Sequence, residues 1–272
     1  MNSETRIAIL GGGNLGTAIA NGLDNAGVVP VENITITRKN IHLLEDFRKR
    51  GFVITRDNKQ AVRNSHIIIV AVQPQQLNGL LDEIKHELDA KKHILISVVS
   101  GASIRAIKKH IGEDIPVVRA MPNTAIAIQE SITCLSSDSN GDTTLEIAKK
   151  IFNSVGETIV IDEELMIPAT ALGACGVAFF LRAIRAASQG GIEIGFHSED
   201  ALFIAAQTAK GAASLLLSRK NHPEMEVDKV TTPRGCTISG LNQMEHNGFS
   251  SAMIKGIVTS ANKAAILYKT DD

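Results

Sequence analysis

A glycine-rich loop behind a short apolar run is the strongest constraint on the fold of this chain. Gly11, Gly13 and Gly16 follow the run 7–10 in the pattern G-x-G-x-x-G, and a helical pattern begins at Asn14. A strand, such a loop and a helix in this order are typical of a βαβ unit that binds a dinucleotide. Gly11 permits the tight turn, Gly13 the close approach of a pyrophosphate, and Gly16 the packing of helix on strand. The loop therefore predicts a Rossmann-type domain with its cofactor at a helix N-terminus.

Apolar runs alternate with helical patterns through residues 1–162, which predicts an α/β fold with a doubly wound parallel sheet. The predicted strands cover residues 7–10, 34–37, 66–72, 93–98 and 116–119, with two weaker ones at 131–135 and 158–161. The predicted helices cover residues 14–26, 41–50, 75–88 and 103–110. A further helix is predicted to start at Thr143, where Glu146 would complete a capping box.

The β pattern stops after Asp162, and residues 163–272 predict a second, all-helical domain. Apolar side chains recur at helical spacing behind Ser198, a predicted N-cap, and another helix is predicted over residues 237–246. The helices are rich in alanine and glycine, so they can pack closely in a bundle, alone or interleaved with a second chain. The apolar window 168–187 contains two arginines, which favours a buried helix over a membrane span.

The composition excludes several classes of protein. Twenty-eight basic and 29 acidic residues give a net charge of −1, so no overall field recruits nucleic acid or an anionic membrane. The three cysteines match neither a zinc spacing nor a disulfide framework, and no metal site is predicted. The first residues lack the basic segment and long apolar stretch of a signal peptide. Together with the cysteines, this predicts a cytoplasmic protein.

The end of the second predicted strand decides which dinucleotide is expected. An acidic residue there would bind the ribose 2′-hydroxyl of NAD(H), but residues 35–40 contain no carboxylate. Thr37, Arg38 and Lys39 instead offer donors, two of them charged, to a 2′-phosphate. NADP(H) is therefore favoured, and NAD(H) stays an alternative. In the other interpretation, Arg38 and Lys39 are only solvated loop charges.

Two proline-containing turns follow later strands. One is Ala-Val-Gln-Pro at residues 71–74, and the other is Arg-Ala-Met-Pro-Asn-Thr at residues 119–124. At the carboxyl end of a sheet strand, such turns are suitable neighbours for a cofactor. A purely structural turn explains either of them almost as well.

The helical domain is poor in strong proton donors. Between residues 167 and 209, His197 is the only histidine, and no lysine occurs. Reduction of a carbonyl normally needs such a donor, whereas an imine nitrogen is basic enough for a hydroxyl or water to serve. The residues therefore favour reduction of C=N. The loop 230–237 offers the hydroxyls of Thr232 and Thr237 and a helix N-terminus to a small carboxylate, although an ordinary capping turn has the same pattern.

Five segments, taken in order, resemble the pyrroline-5-carboxylate reductase family. They are the glycine loop, RAMPNT at 119–124, TALGACGVA at 170–178, QT with GAA at 207–213, and TTP at 231–233. The resemblance covers nearly the whole chain. It implies a Rossmann domain followed by an all-helical dimerisation domain, in an intertwined homodimer that often assembles into decamers. It also implies reduction of the small cyclic imino acid 1-pyrroline-5-carboxylate to L-proline with NADPH or NADH, the last step of proline biosynthesis.

The resemblance also implies roles for single residues. Thr237 would hydrogen-bond the imine nitrogen and relay the proton. Thr232, with the backbone N–H groups of Gly235 and Cys236, would hold the substrate carboxylate. The cofactor would be lined, on the nicotinamide side and elsewhere, by Asn14, Leu15, Arg38, Ala71, Val72, Gln73, Pro74, Ala120, Met121, Pro122 and Asn123.

The chain departs from the family pattern at several positions. Cys175 and Val177 replace a serine and a proline, Gln73 replaces a lysine, and Arg234 replaces a glycine where a positive φ is expected. These changes leave the substrate open, so a related imine reductase stays an alternative. A 3-hydroxyacid-type dehydrogenase would need a lysine early in the helical domain, and none is there. A non-catalytic NADP(H)-binding paralogue is the remaining alternative.

Overall fold

The computed structural model of the 272-residue chain describes residues 4–138 and 143–268, which form two compact units. The first unit contains residues 4–175 and 260–268, and the second contains residues 176–259. By packing, the boundary lies after Cys175, later than the predicted boundary after Asp162. The segment 163–175 therefore packs with the sheet-bearing unit.

The returning segment 260–268 completes the packing of the first unit. The hydroxyl of Tyr268 donates to Asn78 Oδ1 at 2.7 Å. Tyr268 also lies against Gly101, where an added Cβ would come 3.0 Å from the tyrosine Cβ. Gly101 has φ +86°, so both its backbone conformation and this close approach favour glycine.

Eight strands form one sheet in the described part of the first unit: β1 (Ile7–Leu10), β2 (Ile34–Thr37), β3 (Val53–Thr55), β4 (Ile67–Val70), β5 (Ile94–Ser97), β6 (Val117–Met121), β7 (Ser131–Ser137) and β8 (Gly156–Val160). Their order is β3-β2-β1-β4-β5-β6-β7-β8. Neighbours from β3 to β6 are parallel, β7 is antiparallel to β6, and β8 is parallel to β7. The first six strands confirm the doubly wound Rossmann topology, and their order reverses between β1 and β4.

The central strands are buried on both faces, which explains why they read as continuous apolar runs. In β1, Ile9 belongs to the core on one face of the sheet and Leu10 to the core on the other. In β4, Ile69 and Val70 divide in the same way. Each such side chain contributes about 1.5–3 kcal/mol on burial. The two cores therefore hold the carboxyl ends of these strands at fixed positions along one edge.

The helices of the first unit are α1 (Asn14–Asn25), α2 (Glu45–Lys49), α3 (Asn58–Arg63), α4 (Leu77–Ile84), α5 (Ile104–Ile111), α6 (Thr143–Asn153) and α7 (Met166–Ala169). A π-helical turn, Thr170–Ala174, follows α7 directly. The second unit contains α8 (Gly176–Glu193), α9 (Ser198–Arg219), α10 (Pro223–Lys229), α11 (Cys236–His246) and α12 (Phe249–Ala264), of which the last residues belong to the first unit. The described part of the chain after Asp162 contains no strand, as predicted.

Strand β3 and helix α3 were not predicted, and two predicted helices are shorter than expected. Strand β3 has three residues and lies at the sheet edge, so its apolar signal is weak. The predicted helix 41–50 divides into a 3₁₀ turn and α2. The predicted helix 75–88 is reduced to α4 between two 3₁₀ turns, because Pro74 starts the first of them.

The two predicted helix caps have different outcomes. The N-cap of α9 is His197, so Ser198 is the first helical residue and its prediction as the cap is wrong. No side-chain hydrogen bond caps α9. Helix α6 begins at Thr143, as predicted, but the residues before it lie outside the described ranges. The capping box with Glu146 therefore stays a prediction.

The second unit exposes large apolar side chains along its helices. Phe180 is 61% exposed, Phe203 71% and Leu217 80%. Two helical stretches, Glu163–Glu193 and Ser198–Arg219, are long and apolar enough to span a membrane, a test that helices buried in protein interiors also meet. Apolar surface on this scale marks an interaction face.

Candidate cofactor and substrate sites

Protein packing requires glycine at two positions of the loop between β1 and α1. Gly11 has φ +113°, and a Cβ added there would lie 2.4 Å from the Ala71 carbonyl oxygen. At Gly16 an added Cβ would lie 2.0 Å from the Gly11 carbonyl oxygen. Both contacts are with backbone atoms, which cannot move aside. The loop therefore follows a tight path across the switch point between β1 and β4.

Gly13 differs from these two glycines because, apart from its neighbours along the chain, no described protein atom lies within 4 Å of its added Cβ. Its φ of −82° is also open to other residues. As the N-cap of α1, it provides no side chain to bond the first helical N–H groups, and no acidic residue occupies the first turn. Free donors and a positive helix end at an open surface suit an anion such as a pyrophosphate. Asn14 and Leu15, the first helical residues, lie beside that surface.

The end of β2 is bonded to the glycine loop. The Gly12 N–H donates to the Thr37 carbonyl at 2.7 Å, and the Gly11 N–H donates to Thr37 Oγ1 at 3.3 Å. Arg38 Nη1 donates to the Gly12 carbonyl at 2.5 Å, while Lys39 is exposed. Thr37 is therefore part of the loop scaffold. The Arg38 guanidinium lies against the loop, at the end of β2.

The two proline turns lie at the same sheet edge, because β1, β4 and β6 are parallel. The Ala71 N–H donates to the Leu10 carbonyl at 2.8 Å, and Val72, Gln73 and Pro74 follow it into a 3₁₀ turn. Of these, Gln73 is exposed, and the others are half-buried. The other turn is more deeply placed: its four predicted cofactor residues are the buried Ala120, Met121, Pro122 and Asn123.

A buried ion pair behind the second turn was not predicted from the sequence. The Arg119 side chain is 4% exposed, and its Nη1 lies 3.1 Å from Glu163 Oε1. The same carboxylate oxygen accepts the N–H of Ile104, the first residue of α5, at 2.6 Å. Burial lowers the pKa of Arg119, and the Glu163 carboxylate partly offsets this. A charged residue inside an otherwise apolar strand was the signal that sequence reasoning overlooked.

Glu163→Gln should destabilise the fold by about 2 kcal/mol, because it leaves a buried guanidinium without its countercharge. This loss of stability is smaller than for a fully buried ion pair, because the Glu163 side chain is 34% exposed. Urea denaturation measures the effect. Glu146→Gln, which breaks the exposed pair with Lys149, is the matched control and should change much less. Equal effects of the two substitutions would contradict the role given to Glu163.

The predicted substrate loop forms a turn at the start of α11. The Gly235 N–H donates to the Thr232 carbonyl at 2.9 Å, and a Cβ added to Gly235 would lie 2.5 Å from Thr232 Oγ1. Gly235 is the N-cap of α11, followed by Cys236 and the half-buried Thr237. The structure thus brings the predicted substrate residues together. Because the Gly235 N–H closes the turn, Cys236 is the nearer source of a backbone donor for a ligand.

Arg234 has a left-handed backbone, with φ +60°. The expectation that this position needs a positive φ is therefore confirmed. A left-handed residue other than glycine costs about 1–2 kcal/mol. Glycine at this position would remove that conformational cost. Its greater freedom in the unfolded chain, however, would destabilise the folded protein by about 0.4–1 kcal/mol.

Arg234→Gly should therefore stabilise the protein by about 0.5 kcal/mol, the difference between these two terms. Thermal and urea unfolding measure it. Lys220→Gly, at φ +54° after α9, tests the same backbone effect away from the loop. A clear loss of stability in Arg234→Gly alone would show that the guanidinium makes stabilising contacts.

Comparison with known proteins agrees with this arrangement. Residues 163–267 match the model for pyrroline-5-carboxylate reductase dimerisation, and residues 6–101 match that for NADP oxidoreductase, coenzyme F420-dependent. The chain is 57% identical to pyrroline-5-carboxylate reductase 1 of Dictyostelium discoideum, covering 97% of this chain and 50% of that protein. The chain thus spans about half the length of that relative. It is 50% identical to pyrroline-5-carboxylate reductase 2 of the same organism, covering 97% of this chain and 94% of the other.

A solved structure shows the same fold over the whole chain. This chain aligns to the structure of the pyrroline carboxylate reductase of Plasmodium falciparum with NADP bound, with a TM-score of 0.89 and 26% identity. The alignment covers 99% of this chain and 100% of the other. The match to the dimerisation model extends over the helices whose apolar side chains are exposed. The same family is indicated by the glycine loop, by the match of the helical region and by the identity to a curated relative over 97% of the chain. The chain belongs to the pyrroline-5-carboxylate reductase family.

Proposed function

We propose that this protein reduces 1-pyrroline-5-carboxylate to L-proline with NADPH, the last step of proline biosynthesis. The observation that carries the proposal is 50% identity, over 97% of the chain, to a curated reductase of nearly the same length. The edge of the sheet where the strand order reverses between β1 and β4 supports the proposal. There, the open Gly13 and the N-terminus of α1, which no side chain caps, fit a dinucleotide pyrophosphate. When bound, the cofactor supplies a hydride to the imine carbon.

The chain's own residues then bind the substrate and supply a proton. The imine nitrogen gains that proton as C=N becomes a secondary amine, and the Thr237 hydroxyl donates it and is reprotonated from solvent. Thr232 Oγ1 and the Cys236 N–H hold the carboxylate at the start of α11, where the helix dipole favours an anion. A hydroxyl is sufficient because the imine nitrogen is basic.

The assay that tests the function uses purified protein, NADPH and 1-pyrroline-5-carboxylate, with proline measured as product. Cofactor binding without proline formation would contradict the proposal and favour the non-catalytic paralogue, for which the left-handed Arg234 in the substrate loop is the supporting observation. A 3-hydroxyacid-type reaction has less support, because α8 contains no lysine.

NADPH should be preferred over NADH because Arg38 lies against the glycine loop. Arg38→Ala should raise the KM for NADPH by about tenfold, as expected for loss of a charge-assisted hydrogen bond, with little effect on NADH. Lys39→Ala, which removes the neighbouring exposed charge, is the matched control and should have a smaller effect. Wild-type protein that uses both cofactors equally well would contradict the role of Arg38.

We propose further that a second copy of the chain covers the exposed apolar helices, giving an intertwined homodimer that can assemble into a decamer. The match to the dimerisation model supports a protein partner over lipid. The exposed Arg182 and Arg185 on α8 also make a lipid-facing span unfavourable. Light scattering without detergent should give at least twice the mass of the chain, and a monomer would contradict the proposal.

A cytoplasmic location and the absence of nucleic-acid binding complete the proposed setting. All three cysteines are free thiols, which suits a reducing compartment. The net charge of −1 provides no basic field for a nucleic acid.

A further inference from the structure

Asn123 is anchored by its backbone and its side chain at the end of the turn that follows β6. Its N–H donates to Ser131 Oγ at 3.1 Å, and its carbonyl accepts the Ile126 N–H at 3.2 Å. Its Oδ1 accepts the Ala125 N–H at 3.0 Å, and its Nδ2 donates to the Gly173 carbonyl at 3.1 Å. The residue is 7% exposed. Four hydrogen bonds to three segments therefore define its position.

The bond to Gly173 reaches an irregular helical turn. Residues 170–174 are π-helical, and the Cys175 N–H donates to the Thr170 carbonyl at 2.9 Å, a spacing of five residues. Such turns interrupt the regular α-helical bonding and occur frequently at functional sites. Through the Gly173 carbonyl, this turn is bonded to Asn123, at the edge of the sheet proposed to bind the cofactor. Sequence alone does not reveal the bond, because 50 residues separate its partners.

Two other bonds of Asn123, to the N–H groups of Ala125 and Ile126, hold the turn that packs on α1. Asn123 is the N-cap of the 3₁₀ turn Thr124–Ile128. That turn packs tightly on α1, because a Cβ added to Gly22 would lie 2.3 Å from the Ile126 carbonyl oxygen. The N-terminus of α1 is the proposed pyrophosphate site. Asn123 thus lies between the helix that would bind the cofactor and the turn that leads into the helical unit.

We propose that Asn123 is a positioning residue for hydride transfer, an inference that rests on the proposed function. Through the Nδ2 bond to Gly173, it sets the distance between Met121–Pro122, at the nicotinamide side of the edge, and the π turn of residues 170–174. This differs from the role implied by the family resemblance, in which Asn123 lines the cofactor. Hydride transfer depends steeply on where the nicotinamide is held, so a shift of about 1 Å in Met121–Pro122 would cost on the order of a hundredfold in rate.

Two substitutions isolate the Gly173 bond. Asn123→Ser keeps a good N-cap for the 3₁₀ turn but is too short to reach Gly173. Asn123→Asp keeps the shape and the cap but puts an acceptor against the Gly173 carbonyl. Ser131→Ala is the matched control, because it removes the hydroxyl that accepts the Asn123 N–H and leaves both side-chain bonds intact. Each protein is tested below its unfolding temperature.

We expect both Asn123 variants to lower kcat by about tenfold or more, with the Kd for NADPH within about threefold of wild type. The primary isotope effect with 4-deuterated NADPH should increase, because hydride transfer becomes more fully rate-limiting. Ser131→Ala should lower Tm without changing kcat or the isotope effect. If one Asn123 variant does not fold, the other provides the same readouts.

Two results would overturn the assignment. A large increase in the Kd for NADPH with unchanged kcat would make Asn123 a cofactor ligand, and a lower Tm with unchanged kcat and isotope effect would make it purely structural. An inactive wild-type protein would instead overturn the proposed function, so the two failures are distinguishable.

Discussion

Gly13→Ala should lower the affinity for NADPH at least about a hundredfold, which corresponds to roughly 2.7 kcal/mol, while the protein remains fully folded. The added methyl group meets no described protein atom within 4 Å beyond its neighbours along the chain, and the φ of −82° suits alanine. It would, however, occupy the space through which a pyrophosphate approaches the N–H groups of α1. Fluorescence titration measures the affinity, and urea denaturation should show an unfolding free energy within about 0.5 kcal/mol of wild type.

Gly16→Ala is the matched contrast, because it should destabilise the fold as well as weaken binding. Its methyl group would come 2.0 Å from the Gly11 carbonyl oxygen, so α1 must move away from the loop. We expect a loss of about 3 kcal/mol in unfolding free energy together with weaker binding. Gly79→Ala in α4 meets no neighbour and should change neither property adversely. If Gly13→Ala binds NADPH normally, the pyrophosphate does not approach the loop at this position.

Thr237→Ala should lower kcat about a hundredfold, because in the proposed mechanism the imine nitrogen loses its positioned proton donor. The KM for NADPH should not change, since Thr237 lies on α11 and not in the glycine loop. Thr237→Ser keeps the hydroxyl and should retain most of the activity. Steady-state and single-turnover kinetics separate chemistry from binding.

Thr231→Ala is the matched control for the loop itself. Thr231 Oγ1 donates to the Val227 carbonyl at 2.7 Å, so its loss removes a local hydrogen bond and no proposed catalytic group. It should lower stability more than kcat. Unchanged turnover in Thr237→Ala would remove the proton-relay role and leave the rest of the proposed function standing.

The parts of the fold that follow from local pattern were predictable. A buried strand, a glycine loop and an amphipathic helix identified the βαβ unit, because each has its own periodicity or backbone requirement. Strand β3 was missed because three half-exposed edge residues carry little pattern. Ser198 was misassigned because the chain uses His197 at the cap without any side-chain bond.

The parts of the site that depend on long-range contacts were not predictable. The Arg119–Glu163 pair joins residues 44 positions apart, and the Asn123–Gly173 bond joins residues 50 apart. Neither spacing leaves a trace in local periodicity. The proline pattern placed Asn123 correctly in a turn, but only the structure shows that its amide bonds the protein itself.

The return of residues 260–268 to the first unit has a consequence for biosynthesis on the ribosome. The second unit is an insertion whose two ends are both covalently attached to the sheet-bearing unit. Tyr268 bonds Asn78 and packs on Gly101, so these contacts form only after the entire insertion has been translated. During synthesis, the surface of the first unit around Asn78 and Gly101 therefore stays uncovered until the apolar helices of the second unit have been translated.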